Sequence, residues 1–267
     1  MEILWLEQSG GDVPLDNDWL GPEELSHLES LQIPKRRSDW RLGRWTAKIA
    51  VASALQSPID CTTLRSIVIM PASTGEPVVR ITARSSAVTI SISHRNSLAI
   101  CSVALGSIAL GCDLELVEPK SSAFIADYFT LDEQDLVNGS DPTAQPFLAS
   151  LLWSAKESAL KALHVGLRAD TRSVVVDVSK LHGLAPTNGS WHELLVCSSD
   201  ATEFRGWWRC ANGVLRSIVA HPVGSLSLAT LATRIDQPPC DGPVGAQVLC
   251  EPQRWVVTRA DLLKTSS

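Results

Sequence analysis

Positive charge is scarce in this sequence. Its 267 residues include 23 Lys and Arg against 29 Asp and Glu, which gives a formal net charge of −6 at pH 7. A general nucleic-acid-binding protein carries a strongly basic surface. The composition therefore argues against nucleic acid as the partner, while it leaves room for a local basic patch.

Long hydrophobic runs and targeting signals are also missing. The most apolar segment, residues 98–112, is interrupted by Ser and Gly and is shorter than the roughly 18–20 residues that span a bilayer. Two buried strands explain it better than a membrane helix. The N-terminal segment lacks the basic residues that begin a signal peptide, so we expect a cytoplasmic protein with no membrane partner.

Two catalytic signatures are absent. The seven cysteines include no CxxC pair, so their spacing does not indicate a zinc site. No G-x-S-x-G sequence occurs, which removes the nucleophile elbow of a serine hydrolase. Ser93 does stand beside His94, but adjacent strand residues point to opposite faces. The two are therefore poorly placed as a nucleophile and its base.

What is present is an alternation of helical and strand patterns. Apolar periodicity predicts helices over 22–31, 36–56, 121–137 and 143–163. It predicts strands over 65–70, 87–93, 97–104, 107–115, 172–178, 192–197, 204–211 and 214–220, a turn over 73–77 and a short element at 254–264. This order favours an α+β fold. We expect an N-terminal subdomain (1–108), a C-terminal subdomain (109–225) and a C-terminal extension (226–267).

The first chemical pattern is Gly-Cys-Asp-Leu-Glu over residues 111–115. Strand side chains alternate between faces, so Asp113 and Glu115 point the same way and Leu114 points to the other. A hard divalent cation would relieve the repulsion between two such carboxylates. The ordinary alternative is a pair of solvated acids at an exposed strand end.

The second pattern lies in the predicted helix 143–163. An apolar stripe on one side is able to pack on a sheet, and it comprises Leu148, Leu152, Ala155, Ala159 and Ala162. Trp153, Glu157 and Lys161 recur at i, i+4 on the other side, where they would face a cleft. The ordinary alternative is a solvated Glu–Lys pair that contributes only about 0.3–0.5 kcal/mol.

The third pattern is a basic run over residues 35–48. On a helix, Arg37, Arg41, Arg44 and Lys48 share one broad face, which is able to bind phosphates or an acidic partner. A solvated basic face is the alternative.

Taken in order, the motifs RRSDWRLGRWTAK, GEP, ISISH, GCDLE, FTLDE and LLWSAKESALK resemble those of the Sfp-type 4′-phosphopantetheinyl transferases. The resemblance implies two pseudo-symmetric α/β subdomains with the active site between them. It implies a monomer that transfers the 4′-phosphopantetheine moiety of coenzyme A to a serine of an acyl or peptidyl carrier protein and releases 3′,5′-ADP. Such carriers serve fatty-acid, polyketide, nonribosomal peptide and siderophore synthesis.

The resemblance also implies residue roles. Asp113, Glu115 and Glu157 would hold Mg²⁺, and Glu157 or Glu133 would accept the serine proton. Lys161 would bind the pyrophosphate oxygens and His94 would act in catalysis. The remaining positions expected to contact the coenzyme or the carrier are Arg37, Arg44, Lys48, Ser93, His94 and Lys156.

Two departures from the family pattern bear on the donor site. Glu76 stands where the family commonly has Lys or Arg, and Arg95 follows His94 where a small residue is common. We expect Arg95 to supply the missing positive charge. Two other functions stay open: a metal-dependent pyrophosphate hydrolase acting on coenzyme A-like nucleotides, and a non-catalytic relative that docks on a synthase.

Overall fold

The structure, a computed structural model, describes residues 1–81, 87–184 and 189–231. In chain order, its strands are β1 (Glu2–Ser9), β2 (Ile67–Pro71), β3 (Pro77–Ile81), β4 (Val88–Arg95), β5 (Leu98–Leu105), β6 (Ala109–Leu116), β7 (Val174–Val176), β8 (His192–Ser198), β9 (Glu203–Ala211), β10 (Val214–His221) and β11 (Ser227–Thr230). Its α-helices are α1 (Pro22–Ser30), α2 (Pro34–Ala54), α3 (Cys61–Ser66), α4 (Ser122–Tyr128), α5 (Leu131–Gly139) and α6 (Gln145–Ala162). The fold is therefore mixed α+β, as the sequence predicts.

The first sheet has the strand order β11-β1-β5-β4. Strand β1 pairs antiparallel with β5 and parallel with β11. Helix α2 packs on this sheet through the buried residues of its C-terminal half, including Trp45, Ile49 and Val51. The antiparallel hairpin β2–β3 lies beside it and carries the predicted turn 73–77 at its tip.

The second sheet is antiparallel throughout, with the order β6-β10-β9-β8-β7. Helix α6 packs on β6 and β10. The whole predicted apolar stripe of α6 is buried there: Leu148, Leu152, Ala155, Ala159 and Ala162. The predicted amphipathic pattern of this helix is thus confirmed.

A third apolar cluster joins the two sheets. Ile3 and Ile100 from the first sheet pack with Leu110, Leu114 and Ile218 from the second. Strands β4 and β6 also come together at this junction, where the Cys112 amide donates a 3.0 Å hydrogen bond to Ser91 Oγ. This packing fixes the end of β4 against β6 and so sets the geometry of the site.

The structure corrects the predicted helix 121–137, which is two helices. Phe129 and Thr130 are extended between α4 and α5. Thr130 caps α5, because its amide donates to Glu133 three residues later in a capping box.

Several elements were not predicted: β1, α3, β3 and β11. Strand β11 pairs with β1, so the chain returns to the first sheet after β10. The predicted element at 254–264 lies outside the described residues. In the described ranges, no helix combines the length and apolar character needed to cross a membrane.

Candidate active site

Strand β6 places two carboxylates on the side that faces α6. Asp113 and Glu115 are 5% and 8% exposed, while Leu114 between them points into the cluster that joins the sheets. The predicted alternation along this strand is therefore observed. Both acids are more buried than a solvated strand end would leave them.

Gly111 explains how α6 comes close to these acids. A Cβ atom on Gly111 would lie 1.8 Å from the backbone oxygen of Ser158 on α6. Only a residue without a side chain allows this approach. The glycine of the GCDLE segment is therefore needed for packing, and that packing brings the cleft side of α6 against β6.

Lys161 on α6 is anchored on β6. Its Nζ donates to Asp113 Oδ1 at 2.7 Å and to the Cys112 carbonyl at 3.0 Å. It also donates to Ser93 Oγ at 3.1 Å. Burial lowers the pKa of Lys161, but Asp113, Cys112 and Glu157 together outweigh burial and raise this pKa above its usual value.

Three carboxylate oxygens in this region have no hydrogen-bond partner: Asp113 Oδ2, Glu115 Oε2 and Glu157 Oε1. Burial raises the pKa of Glu157, and repulsion from Asp113 raises it further. The pKa of Glu115 is raised by the same two causes, while Arg95, 3.6 Å from its Oε2, opposes them. The three acids therefore form one electrostatically coupled group.

Unpartnered buried oxygens with mutual repulsion fit a bound hard cation in chemistry and charge. Their arrangement is not that of a closed ligand set. In the described part of the chain, no group of three or more His, Cys, Asp or Glu side chains is grouped around one ion position. The ammonium of Lys161 instead neutralises Asp113 directly.

Ser93 and His94 occupy opposite sides of β4, as expected from the strand. Ser93 is buried, and its Oγ donates to Asp113 Oδ1 at 3.0 Å. His94 lines a cavity of about 210 Å³ together with Asp39 and Arg44. Loss of water around the imidazole lowers the pKa of His94, and Asp39 opposes this effect.

Arg44 provides the cation of that cavity. It is 8% exposed, and its guanidinium carbon lies 4.7 Å from the centre of the Trp40 ring. Burial lowers the pKa of Arg44 to about 10, so the side chain keeps its charge near neutral pH. Its Nε has no partner among the described residues, which leaves a buried donor available to an anion.

A second cavity of about 500 Å³ adjoins the first, because Gly75, Pro77 and Ile92 line both. It extends to Lys161 and to the segment after α6, where His164 and Arg168 complete its wall. Together the two cavities form a cleft between the hairpin tip, β4 and the end of α6. We call this the donor cleft.

Comparison with known families is informative for the second half of the chain. Residues 109–206 match the family model described as the 4′-phosphopantetheinyl transferase superfamily. The matched segment includes the acids of β6 and, on α6, Glu157 and the cleft-lining Lys161. The chain is therefore similar to this superfamily over residues 109–206.

Solved structures similar to part of the chain include two holo-(acyl-carrier-protein) synthases. A holo-(acyl-carrier-protein) synthase from Bacillus anthracis, solved with CoA (3′,5′-ADP), is 22% identical, with a TM-score of 0.34 over 38% of this chain and 91% of that one. A holo-[acyl-carrier-protein] synthase from Helicobacter pylori, solved with coenzyme A, is 20% identical, with a TM-score of 0.29 over 39% of this chain and 99% of that one. Among curated proteins, none matches the chain.

Two residues expected at the superfamily's active site are buried elsewhere. Glu133 and Lys156 are fully excluded from solvent and form an ion pair of 2.9 Å. Glu133 Oε1 also accepts a hydrogen bond from the Val176 amide. Neither side chain is able to reach a ligand in the donor cleft, so the structure corrects both expected roles.

Lys48 requires the same correction. It is 0% exposed, and its Nζ pairs with Glu24 Oε2 at 2.5 Å. Its other hydrogen bonds go to the carbonyls of Trp19 and Leu64. Lys48 therefore joins α2 to α1 and α3 inside the core of the N-terminal half and is not part of the basic surface.

Arg37 and Arg95 both contact groups of the protein itself. Arg37 donates to the Leu28 and Leu31 carbonyls and so holds the end of α1. Arg95 lies 3.6 Å from Glu115 and is not among the residues that line the donor cleft. It therefore does not replace the positive charge missing at Glu76.

The residues that sequence reasoning missed are His164 and Arg168. Both follow α6 and line the donor cleft opposite the hairpin tip. Arg168 donates to the Thr74 carbonyl at 3.1 Å, across the two halves of the protein. No local motif marks either residue. The contact of Arg168 is with Thr74, 94 positions away in the chain.

Proposed function

We propose that this protein transfers the 4′-phosphopantetheine moiety of coenzyme A to a serine of an acyl or peptidyl carrier protein and releases 3′,5′-ADP. The observation that carries the proposal is the grouping around Lys161. Its ammonium lines the cleft and pairs with Asp113, and Asp113, Glu115 and Glu157 each have one buried carboxylate oxygen without a hydrogen bond among the described residues.

The donor cleft supplies cations where a coenzyme with several phosphates needs them. Arg44 and His94 line one cavity, and Lys161 lines the other. Arg44 and Lys161 are charged donors, to which phosphate groups bind well, whereas burial lowers the pKa of His94 and leaves its ring as a neutral donor. We therefore assign Arg44, His94 and Lys161 to the phosphates of coenzyme A, with Ser93 orienting Lys161 through its hydroxyl oxygen.

Asp113, Glu115 and Glu157 are the residues that would hold magnesium. Bound there, magnesium would neutralise charge on the pyrophosphate oxygens. Lys161 would neutralise the negative charge that develops on the same group during phosphoryl transfer. Because Lys161 is also anchored by one hydrogen bond to β4 and one to β6, its position is set before the donor binds.

The acceptor serine belongs to the carrier and needs a base that faces the cleft. Of the two acids considered, Glu133 is enclosed in the core and Glu157 is only half-buried. Glu157 would accept the serine proton directly or through a water molecule. The serine oxygen would then form its bond to the β-phosphorus as the bond to 3′,5′-ADP breaks.

We also propose that the two halves are pseudo-symmetric subdomains and that the enzyme is a monomer. The support is a repeated buried pair. Lys48 on α2 pairs with Glu24 on α1, and Lys156 on α6 pairs with Glu133 on α5. In each half, the helix that packs on the sheet carries the lysine and the preceding short helix carries the glutamate.

The test is incubation of the purified protein with coenzyme A, Mg²⁺ and a panel of apo-carrier proteins. We expect at least one carrier to gain the mass of phosphopantetheine, and Asp113→Asn to remove this gain while Asp132→Asn, an exposed acid, retains it. Loss of coenzyme A without any carrier would instead identify a hydrolase. Failure to bind coenzyme A in calorimetry would favour a non-catalytic relative.

A further inference from the structure

The tip of the β2–β3 hairpin meets the segment after α6 across the donor cleft. Arg168 donates from its guanidinium to the Thr74 carbonyl at 3.1 Å. The same guanidinium donates to the Val165 carbonyl at 3.2 Å, which holds the side chain against its own segment. Arg168, which follows α6, thus fixes the backbone of the turn between β2 and β3.

Glu76 adds a second contact between the same two segments. One carboxylate oxygen lies 3.8 Å from His164 Nδ1, and the other accepts a hydrogen bond from Thr74 Oγ1. The Glu76 side chain is 20% exposed. The carboxylate therefore faces an imidazole and a hydroxyl of the protein at a position where a phosphate-binding residue would face the ligand.

The turn itself is held by two backbone hydrogen bonds. The Gly75 amide donates to the Ala72 carbonyl, and the Ala72 amide donates to the Glu76 carbonyl. Gly75 has φ +103°, a conformation that favours glycine. Gly75 and Pro77 line both cavities of the donor cleft, so the position of this turn decides the shape of the cleft.

We propose that Arg168 and Glu76 form a latch that joins the two halves over the donor cleft and positions the hairpin tip for the donor. This rests on the proposed function for its substrate, coenzyme A. The family commonly has a basic residue at this position. Here the position is acidic because Glu76 binds Thr74 and faces His164, not a phosphate. Arg168 is then a positioning residue and contacts the turn, not the reacting atoms.

Steady-state transfer kinetics with coenzyme A as the varied substrate test the positioning role. Arg168→Gln should raise the KM for coenzyme A by roughly fivefold while kcat stays within about twofold, the pattern of lost ground-state binding. Arg168→Lys, which keeps a cation able to reach the carbonyl, should recover most of the loss. Arg172→Gln removes a nearby exposed arginine whose ion pair, among the described residues, is with Asp170, and it should behave as wild type.

Hydrogen–deuterium exchange of the ligand-free protein tests the latch without any activity. The hydrogen-bonded amides of Ala72 and Gly75 should exchange about tenfold faster in Arg168→Gln than in Arg172→Gln, because opening of the turn no longer requires the contact between Arg168 and Thr74 to break. Unchanged exchange, or an unchanged KM in an active enzyme, would overturn the latch. Faster exchange in a protein that modifies no carrier would support the latch and refute the proposed transferase.

Discussion

The ammonium nitrogen of Lys156 lies 2.9 Å from Glu133 Oε2, and both side chains are excluded from solvent. Lys156 also donates to the Thr171 and Val174 carbonyls. Glu133 accepts hydrogen bonds from the amides of Thr130 and Val176. This pair ties α5, α6 and β7 together inside the second half, and its ionic groups are well satisfied.

The first prediction follows from the buried ion pair between Lys156 and Glu133. Glu133→Gln should lower the free energy of unfolding by about 3–5 kcal/mol, because it leaves the Lys156 charge buried without its partner. Urea denaturation followed by tryptophan fluorescence measures this. Asp132→Asn, an exposed neighbour in the same turn, is the control and should unfold like wild type. Normal stability combined with lost transfer would instead return Glu133 to the list of catalytic bases.

The second prediction concerns the equivalent pair of the first half. Glu24 Oε2 pairs with Lys48, and Glu24 accepts hydrogen bonds from the Gly21 and Ile69 amides. Glu24→Gln should therefore destabilise the protein by a similar amount, about 3–5 kcal/mol.

The matched control for the first half is Glu23→Gln, since Glu23 is half exposed and pairs with the exposed Arg80. A small effect of Glu24→Gln, comparable to that of Glu23→Gln, would count against two halves built on the same plan. The measurement is again equilibrium unfolding in urea.

Sequence reasoning succeeded where the signal is local and periodic. The alternation of Asp113, Leu114 and Glu115 along β6 and the apolar stripe of α6 both follow from side-chain geometry within one element. The resemblance to the superfamily was confirmed for residues 109–206. These features together gave the α+β fold and brought Glu157 and Lys161 to the side of α6 that faces the cleft.

The motifs do not indicate whether a charged residue within them is buried or exposed. Lys48, Lys156 and Glu133 are charged and lie in motif-like segments, so they were expected at the ligand. The spacing of Thr130 and Glu133 is that of a capping box, which would have indicated an inward role for Glu133. For Arg168, no signal within its own segment predicts the contact to Thr74.

The third prediction tests the close packing of α6 on β6. Gly111→Ala should destabilise the protein by about 1–3 kcal/mol, because the new methyl group would meet the backbone of Ser158, which is unable to move without shifting α6. The shift would also separate Lys161 from Asp113. Gly139→Ala, where the methyl group would meet no atom within 4 Å outside its own helix, should leave the free energy of unfolding unchanged or raise it slightly. Equal stability of the two variants would contradict the packing described for α6.

The fourth prediction separates the stability of the acid group from its function. Asp113 and Glu157 repel each other in a partly buried setting, so Glu157→Gln should raise the melting temperature of the metal-free protein by about 2 °C. Mg²⁺ should raise the melting temperature of the wild type, because it binds only the folded state, and should have much less effect on Glu157→Gln.

Differential scanning calorimetry with and without Mg²⁺ measures both effects, independently of any carrier protein. Glu118→Gln is the control, since Glu118 is about half exposed and pairs only with Arg95 among the described residues. If Mg²⁺ stabilises Glu157→Gln as strongly as it stabilises the control, Glu157 is not a metal ligand. A lower melting temperature of metal-free Glu157→Gln would mean that the carboxylate stabilises the fold, contrary to the unpartnered oxygen and the repulsion from Asp113 from which the prediction is drawn.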